Sequence, residues 1–418
     1  MSEAADSKRR FWRLSAAGIF FQGGAAAVDT STVVAALVHG LTGSTFAVGA
    51  AAAIARFGWL FPQLFVAYYA QRRARRLPFY VVGAFGRVAC LAVLAGLLWY
   101  LASSGGALPV VLFFAIWTVY AFVSGIVAVP YNDIVARSIP SEKRSRMLAL
   151  RFFGGGLLAL AVATAAYWIL QALPFPSNYA VLLLLGAALL FVSAIFFVSA
   201  GEPTAPMEPS VAAGFLKFLR GGLDTFVGDR RFRLFLIAQW LGGATAMALP
   251  FYILQTQNSA PDVAILLGAQ MAGALLSNPL WGWWGDRRGK RELLEIVAAL
   301  GTVAPILTLA WMANDEHWGA AALPYFAVVF ALLGAVGNGS TIAYLGYLME
   351  ISPDNRRPAY SGYFNGLAAP AALLPMAGGA VAEAGSFAAV FAVSLTAAAL
   401  QLLTVRRLRA IPSGDRER

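Results

Sequence analysis

The chain has 418 residues, of which 60% are hydrophobic and 12% charged. Soluble proteins carry about 25% charged residues, so a water-soluble globule is excluded. The net charge of +11 could suggest a nucleic-acid partner, but its distribution along the chain is topological, and no such partner is expected.

The first basic cluster, Lys8–Arg13, precedes an apolar run as in a signal peptide. The run is too long for one and no clean cleavage site follows, so the expectation is a retained first helix. A membrane-spanning helix needs about 20 mostly apolar residues. Spans are predicted over residues 14–38, 47–70, 79–102, 109–132, 147–171, 179–200, 233–256, 262–284, 293–313, 322–349, 359–382 and 386–405. The N-terminal tail, every second gap and the C-terminal tail hold 28 of the 31 lysines and arginines, and the alternate gaps hold none. The other three, Arg56, Arg87 and Arg151, lie inside apolar runs. Cytoplasmic loops of membrane proteins keep Lys and Arg. The pattern therefore predicts an all-α integral membrane protein with twelve transmembrane helices and both termini cytoplasmic. The single cysteine, Cys90, is in an apolar run, and His39 and His317 are far apart. No disulfide, metal site or cofactor is expected.

The one long interruption is residues 201–232. It opens with Gly201, Pro203, Pro206 and Pro209, a linker composition. Beyond these, Phe215, Phe218, Leu219 and Leu223 can share one helix face flanked by Lys217 and Arg220, which predicts a short helix on the membrane surface. The linker separates an N-terminal bundle, residues 1–200, from a C-terminal bundle, residues 233–418. The halves resemble each other. The run Gln71-Arg72-Arg73-Ala74-Arg75-Arg76 returns as Asp286-Arg287-Arg288-Gly289-Lys290-Arg291 after 215 residues, and Pro140-Ser-Glu-Lys-Arg144 returns as Pro353-Asp-Asn-Arg356-Arg357 after 213. An internal repeat of six helices each, with a site between the halves, is a transporter architecture.

The stretch Gly282-Trp-Trp-Gly285-Asp286-Arg287-Arg288-Gly289-Lys290-Arg291 resembles the loop signature of the major facilitator superfamily. Gly282 and Gly289 would allow close helix approach and a tight turn. In the family this loop packs near the start of the fifth helix, here about Ser145 to Arg151. Asp286 and Arg287 would then act in gating, the aspartate facing that helix's positive N-terminal end. The first-half copy departs from the signature: its glycines are Ala67 and Ala74 and its acid is Gln71. Pro62-Gln63 and the approach to helix eleven, Pro353 to Gly362, resemble a bacterial branch that implies no substrate. Drug/proton antiporters of the superfamily have a glycine-proline pair on helix five. This chain has Gly154–Gly156 there with no proline between Arg146 and Leu173, and a partial match, Pro375-Met-Ala-Gly378-Gly379, on helix eleven.

Ionisable side chains in hydrocarbon are expensive unless paired or hydrated, and each is a functional candidate. Asp29 lies about 24 Å along helix one and Arg56 about 14 Å inward from the other end of helix two, at ~1.5 Å per residue. The matching depths predict either a site pair or a static ion pair. Arg87, Asp133 and Arg151, with Glu350, are expected toward the cytoplasmic ends of their helices. There they would form a gate or simple interfacial charges, and Arg87 is expected to be paired structurally. Gln22, Tyr120, Gln239 and Asn338 are further candidate binding residues, with Ser124, Trp117 and Trp240 near them. Glu383 reads as a solvated helix end.

These residues predict a secondary transporter of the cytoplasmic membrane, moving a small solute by alternating access. Its coupling to protons would run through Asp29. A sensor or assembly partner with a transporter fold, and an uncoupled facilitator, remain alternatives. Arg56 and Arg151 suit an anion, whereas Asp29 and the tryptophans suit a cation. No nucleotide-binding loop or nucleophile–base pair occurs, so no enzyme is expected, and the chain is expected to be a monomer.

Overall fold

The computed structural model describes residues 3–70, 73, 75–101, 108–203, 214–256, 260–314, 321–352 and 357–408. Gln71, Arg72, Ala74, Pro206, Pro209, His317 and Pro353–Arg356 lie outside the described residues, as do the side chains of Phe218 and Leu219. Every regular element among the described residues is helical.

The N-terminal bundle comprises α1 (Glu3–Ala26), α2 (Val33–Thr42), α3 (Thr45–Ala70), α4 (Leu77–Leu101), α5 (Leu108–Ile126), α6 (Ala128–Ser138), α7 (Ser141–Ala172) and α8 (Ser177–Ala200). The linker contributes α9 (Phe215–Gly228). The C-terminal bundle comprises α10 (Arg230–Thr245), α11 (Ala260–Arg287), α12 (Lys290–Leu300), α13 (Val303–Met312), α14 (Ala322–Ile351), α15 (Arg357–Ala368), α16 (Leu374–Ala384) and α17 (Phe387–Arg407). Eleven helical segments are long and apolar enough to cross a membrane, and α1 with α2 makes the twelfth. Four of these eleven spans are composites: α5–α6, α10 continued by 3-10 turns at Ala246–Phe251 and Ile253–Gln255, α12–α13, and α15–α16 through a 3-10 turn at Ala369–Leu373. With twelve alternating spans, the start of α1 and the end of α17 fall on one face, called here the terminal side; the other is the far side.

The first span is not the continuous helix that hydropathy predicts. It breaks between Ala26 and Val33. Asp29, Ser31 and Thr32 offer the backbone local alternatives to the helical ladder. The Asp29 Oδ1 accepts from the Ser31 and Thr32 backbone amides, at 2.9 and 3.0 Å, and from both hydroxyls, at 2.6 and 2.9 Å. Non-helical backbone inside a membrane is tolerated only when its polar groups are satisfied within the protein. Asp29 satisfies those groups in the turn that leads into α2. At α10 a carboxylate caps the helix directly: Asp229 accepts from the Arg231 and Phe232 amides at 2.9 and 3.0 Å.

Helices α1–α8 and α10–α17 form two six-span bundles that meet along two seams, α7 against α11 and α3 against α15–α16. Without a hydrophobic force between helices in lipid, close backbone approach does the packing. A Cβ at Gly49 would collide with the Pro375 carbonyl across the second seam, and one at Gly334 with the Gln270 carbonyl inside the C-terminal bundle. Large apolar side chains such as Leu276, Trp168 and Val111 face outward, where a bilayer would cover them. The linker helix α9 is amphipathic but not free. Phe215 stacks on Phe65 and lies edge-on to Tyr68 of α3, while Gly221 and Gly222 abut Tyr363 of α15. Leu216, Leu223 and Val227 are exposed along its other face.

Candidate functional site

Three adjoining cavities lie in the interior. The largest, about 400 Å³, is lined by Asp29, Arg56, Arg87, Trp59, Trp117 and Tyr120. A second, about 150 Å³, shares Phe21, Trp59 and Arg87 with it and adds Arg151, Tyr131 and Asn132. The third, about 220 Å³, shares Asp29 and lies between the bundles, with Gln22, Phe152, Asn278 and Asn338 on its walls. The broken first span is thus common to all three, because α1 supplies Phe21 and Gln22 and the break supplies Asp29.

Asp29 and Arg56 share a cavity, yet among the described residues no ion pair joins them, contrary to the expected pair. The Asp29 Oδ1 is instead occupied by the four local donors of the turn that leads into α2. Ser31, one of those donors, also bonds Gln270 of α11 at 3.2 Å, so the break touches the opposite bundle. Tyr120 stacks on Trp117 at 4.8 Å between ring centroids, and the Trp117 indole donates to the Ala51 carbonyl at 2.9 Å. Gln22 and Asn338 line the inter-bundle cavity. The Asn338 amide also donates to Asn278 at 2.6 Å and to the Ala274 carbonyl at 3.1 Å, tying α14 to α11. Gln239 lines none of these three cavities. Trp240 is spent on packing, its indole donating to the Leu367 carbonyl at 2.8 Å.

The arginine expected to be structural is the one most committed to the cavities. Arg87 is 2% exposed and lines two of them. Among the described residues it has no carboxylate partner, and its Nε has no hydrogen-bond acceptor. Its guanidinium sits 5.0 Å from the Phe21 ring centroid. Arg151 lies 5.6 Å from the same ring and donates to the Tyr131 hydroxyl at 2.8 Å, and its Nε is likewise buried without an acceptor. Sequence reasoning placed Arg87 toward a helix end and expected a structural pairing, and no ion pair to it is found among the described residues.

The predicted gating residues divide. Asp133 binds Arg76 and Arg137, and Arg137 also pairs with Glu202 at 2.6 Å. Glu202 accepts from the Arg76 and Leu77 backbone amides at 2.9 Å each. Burial pushes the Glu202 carboxyl upward, but those amides and Arg137 outweigh it and hold it below 4.5. The network ties the α3–α4 loop and α6 to the start of the linker just beyond α8. The first-half loop has Gln71 where the signature has an acid, and Asp133 and Glu202 are the acids that engage Arg76 beside it.

Among the described residues, Asp286 makes no hydrogen bond or ion pair with α7. It pairs with Lys290 at 3.2 Å one turn on, and its side chain is 80% exposed. Arg287 lies over the Trp283 ring at 5.5 Å. Gly289 has φ +88 and makes the turn as expected, whereas a Cβ on Gly282 would meet open space, so no close approach depends on it. Glu350 is exposed at the end of α14. Glu383 is exposed, as expected of a solvated helix end, and it also joins the bundles on the far side. Its Oε2 accepts from the Phe46 amide and the Ser44 hydroxyl, each at 2.8 Å, at the start of α3. Beside it the Thr45 hydroxyl donates to the Gly379 carbonyl at 3.2 Å. The partners are more than 330 residues apart, which is why no local pattern revealed them.

The family model of the Major Facilitator Superfamily matches residues 234–418. No curated protein sequence matches the chain. Among solved structures, a variant of the nucleoside transporter NupG superposes with a TM-score of 0.69 at 14% identity, covering 96% of this chain and 99% of that one. The POT family transporter PepTSo superposes with a TM-score of 0.71 at 12% identity, covering 97% and 99%. An auto-inhibited POT family peptide transporter gives 0.66 at 13%, covering 99% and 98%. At these identities the likeness is one of fold.

Proposed function

We propose that this chain, which belongs to the major facilitator superfamily, is a proton-coupled transporter that moves a small solute across the cytoplasmic membrane by alternating access. Belonging to that family makes it a multi-pass membrane protein and a transporter in general terms. The finer reading rests on one observation: Asp29, at the break of the first span, lines both the largest cavity and the inter-bundle cavity. Protonation of a carboxylate converts an acceptor into a donor. The Ser31 and Thr32 contacts that hold the break together would be rearranged, and with them the Ser31–Gln270 link to the other bundle. A proton could thereby bias how the bundles sit.

The basic terminal side is cytoplasmic under the positive-inside rule, so the Glu383 contacts close the outward face. The resting arrangement is then closed to the outside, and the bundles of residues 1–200 and 233–418 rock about the cavities between them. The protein acts as a monomer and uses no cofactor.

Purified protein in liposomes tests the reading. A solute that stabilises the protein against heat should accumulate against its gradient when a pH gradient is imposed, and a protonophore should abolish this. Asp29→Asn should retain downhill exchange while losing accumulation. Accumulation unaffected by Asp29→Asn would remove Asp29 from coupling. Movement indifferent to the pH gradient would make the protein a facilitator, and the absence of any movement would favour a sensor.

A further inference from the structure

Three arginines, Arg56, Arg87 and Arg151, line the adjoining cavities of the N-terminal bundle, and Asp29 is the one carboxylate on those walls. Asp29 already holds four donors on one oxygen. Among the described residues no salt bridge reaches any of the three arginines. A buried charge without a partner is strongly destabilising, and the shared Phe21 ring offsets little of it: a cation–π contact contributes about 0.5–2 kcal/mol.

We propose that the transported solute carries an oxyanion, carboxylate or phosphoryl, and that this group is held between Arg87 and Arg151. The inference deepens the transporter reading and rests on it. Guanidinium groups present several donors in a plane and favour such oxyanions through paired hydrogen bonds. Here the two side chains flank one ring, and both keep a buried Nε without an acceptor. Asn132 and Tyr131 complete a polar wall around the 150 Å³ space, room for an oxyanion and little more. The rest of the solute would extend past Arg87 into the 400 Å³ cavity, where Trp59, Trp117 and Tyr120 offer apolar surface. Arg151 is also contacted by its own chain in a way that fixes it. A Cβ on Gly18 would collide with the aliphatic stem of Arg151, so α1 packs directly on the stem that carries the guanidinium.

The experiment is thermal unfolding of the purified full chain with acetate, benzoate, succinate or inorganic phosphate at millimolar concentration, against glycerol and ethylammonium as uncharged and cationic probes. At least one anion should raise the Tm by a few degrees, and the controls should not. The carboxylates and phosphate form separate arms, so the shifted arm identifies the oxyanion. Arg87→Gln and Arg151→Gln should each abolish the shift, and Arg87→Gln should be at least as stable as the parent in anion-free buffer. Arg151→Lys keeps the charge but not the planar fork, and should retain a weakened shift. If no anion shifts the parent, or if the shift survives in the glutamine variants, the assignment is wrong. Should a glutamine variant fail to fold, an anion shift undiminished in Arg151→Lys would also overturn it. Flux in liposomes separates this from the transporter reading. Anion binding without flux removes transport and keeps the site. Flux of neutral or cationic solutes alone removes the site and keeps transport.

Discussion

The two ends of the molecule are held by different kinds of contact. On the far side, Glu383 and Thr45 join one bundle to the other, and Gly49 lets the α3 and α16 backbones touch. On the terminal side, the Arg76–Asp133–Arg137–Glu202 network contains more charge, yet it joins the N-terminal bundle only to the first residues of the linker. Among the described residues, the hydrogen bonds between bundles fall at the far side or at mid-depth, where Ser31 meets Gln270. Charge density is therefore a poor guide to which end is closed. A network can brace one bundle as a rigid body while a single carboxylate at a helix start decides how the two bundles meet.

The largest change should come from Gly49→Val. The atom it strikes is a carbonyl of the facing backbone, which cannot rotate away as a side-chain tip can. Overpacking of this kind costs about 1–3 kcal/mol, so the closed far side should lose roughly 5- to 150-fold in population if the seam opens rather than the bundle unfolding. Spin-label distances between the far ends of α3 and α16 should lengthen; an unchanged distribution would show that the seam yields elsewhere.

Glu383→Ala should act in the same direction, more weakly, because it removes two hydrogen bonds at the start of α3 without creating a clash. In a Cys90→Ser background, a cysteine at Thr45 should react faster with an impermeant maleimide when Glu383 is alanine. Equal rates would mean that backbone packing alone keeps this end shut.

Glu202→Gln addresses the other end. The folded-state carboxyl is held below 4.5, so its contribution to stability is complete above that value. It is lost as the pH falls through the lower folded value. The parent should thus lose more stability than the variant on acidification below about pH 4.5, the model-peptide carboxylate range. At neutral pH the variant should be less stable by about 1 kcal/mol, the scale of a hydrogen-bonded pair near the surface. Far-side distances should not move. If they do, the terminal network communicates with the seam and the contrast between the ends is not as described.

The smallest effect is expected from Asp286→Asn. Its partner is Lys290 one turn away, and exposed pairs at that spacing contribute about 0.3–0.5 kcal/mol. Denaturation and spin-label distances should both match the parent. A displaced inter-bundle distance would restore the contact with α7 that the family resemblance implied.

Much of the architecture was legible without coordinates. Hydropathy located the twelve spans because a lipid core demands long apolar segments, and the alternating basic loops ordered them because charge is retained on one side. The loop at residues 282–291 pointed to the family whose model matches residues 234–418. Even the α9 helix was readable from its amphipathic face, since that pattern is local. Asp29, Arg56 and Arg151 stood out as ionisable residues in apolar runs, the strongest single-residue signal a membrane sequence offers.

What only the tertiary structure decided was who meets whom. Hydropathy averages over a window, so it could not see that Asp29 sits in a helix break where it binds the amides of Ser31 and Thr32, nor that among the described residues no ion pair joins it to Arg56. The depth of Arg87 depends on how α4 lies against α5 and α8, and the role of Glu383 on a contact with Phe46 from the other end of the chain. Apolar periodicity and loop charge are properties of neighbours in sequence, and the bilayer reads them directly. A cavity, a cap from a distant helix and an unpaired guanidinium arise from packing between segments, where bringing two helices together selects a few of many compatible partners.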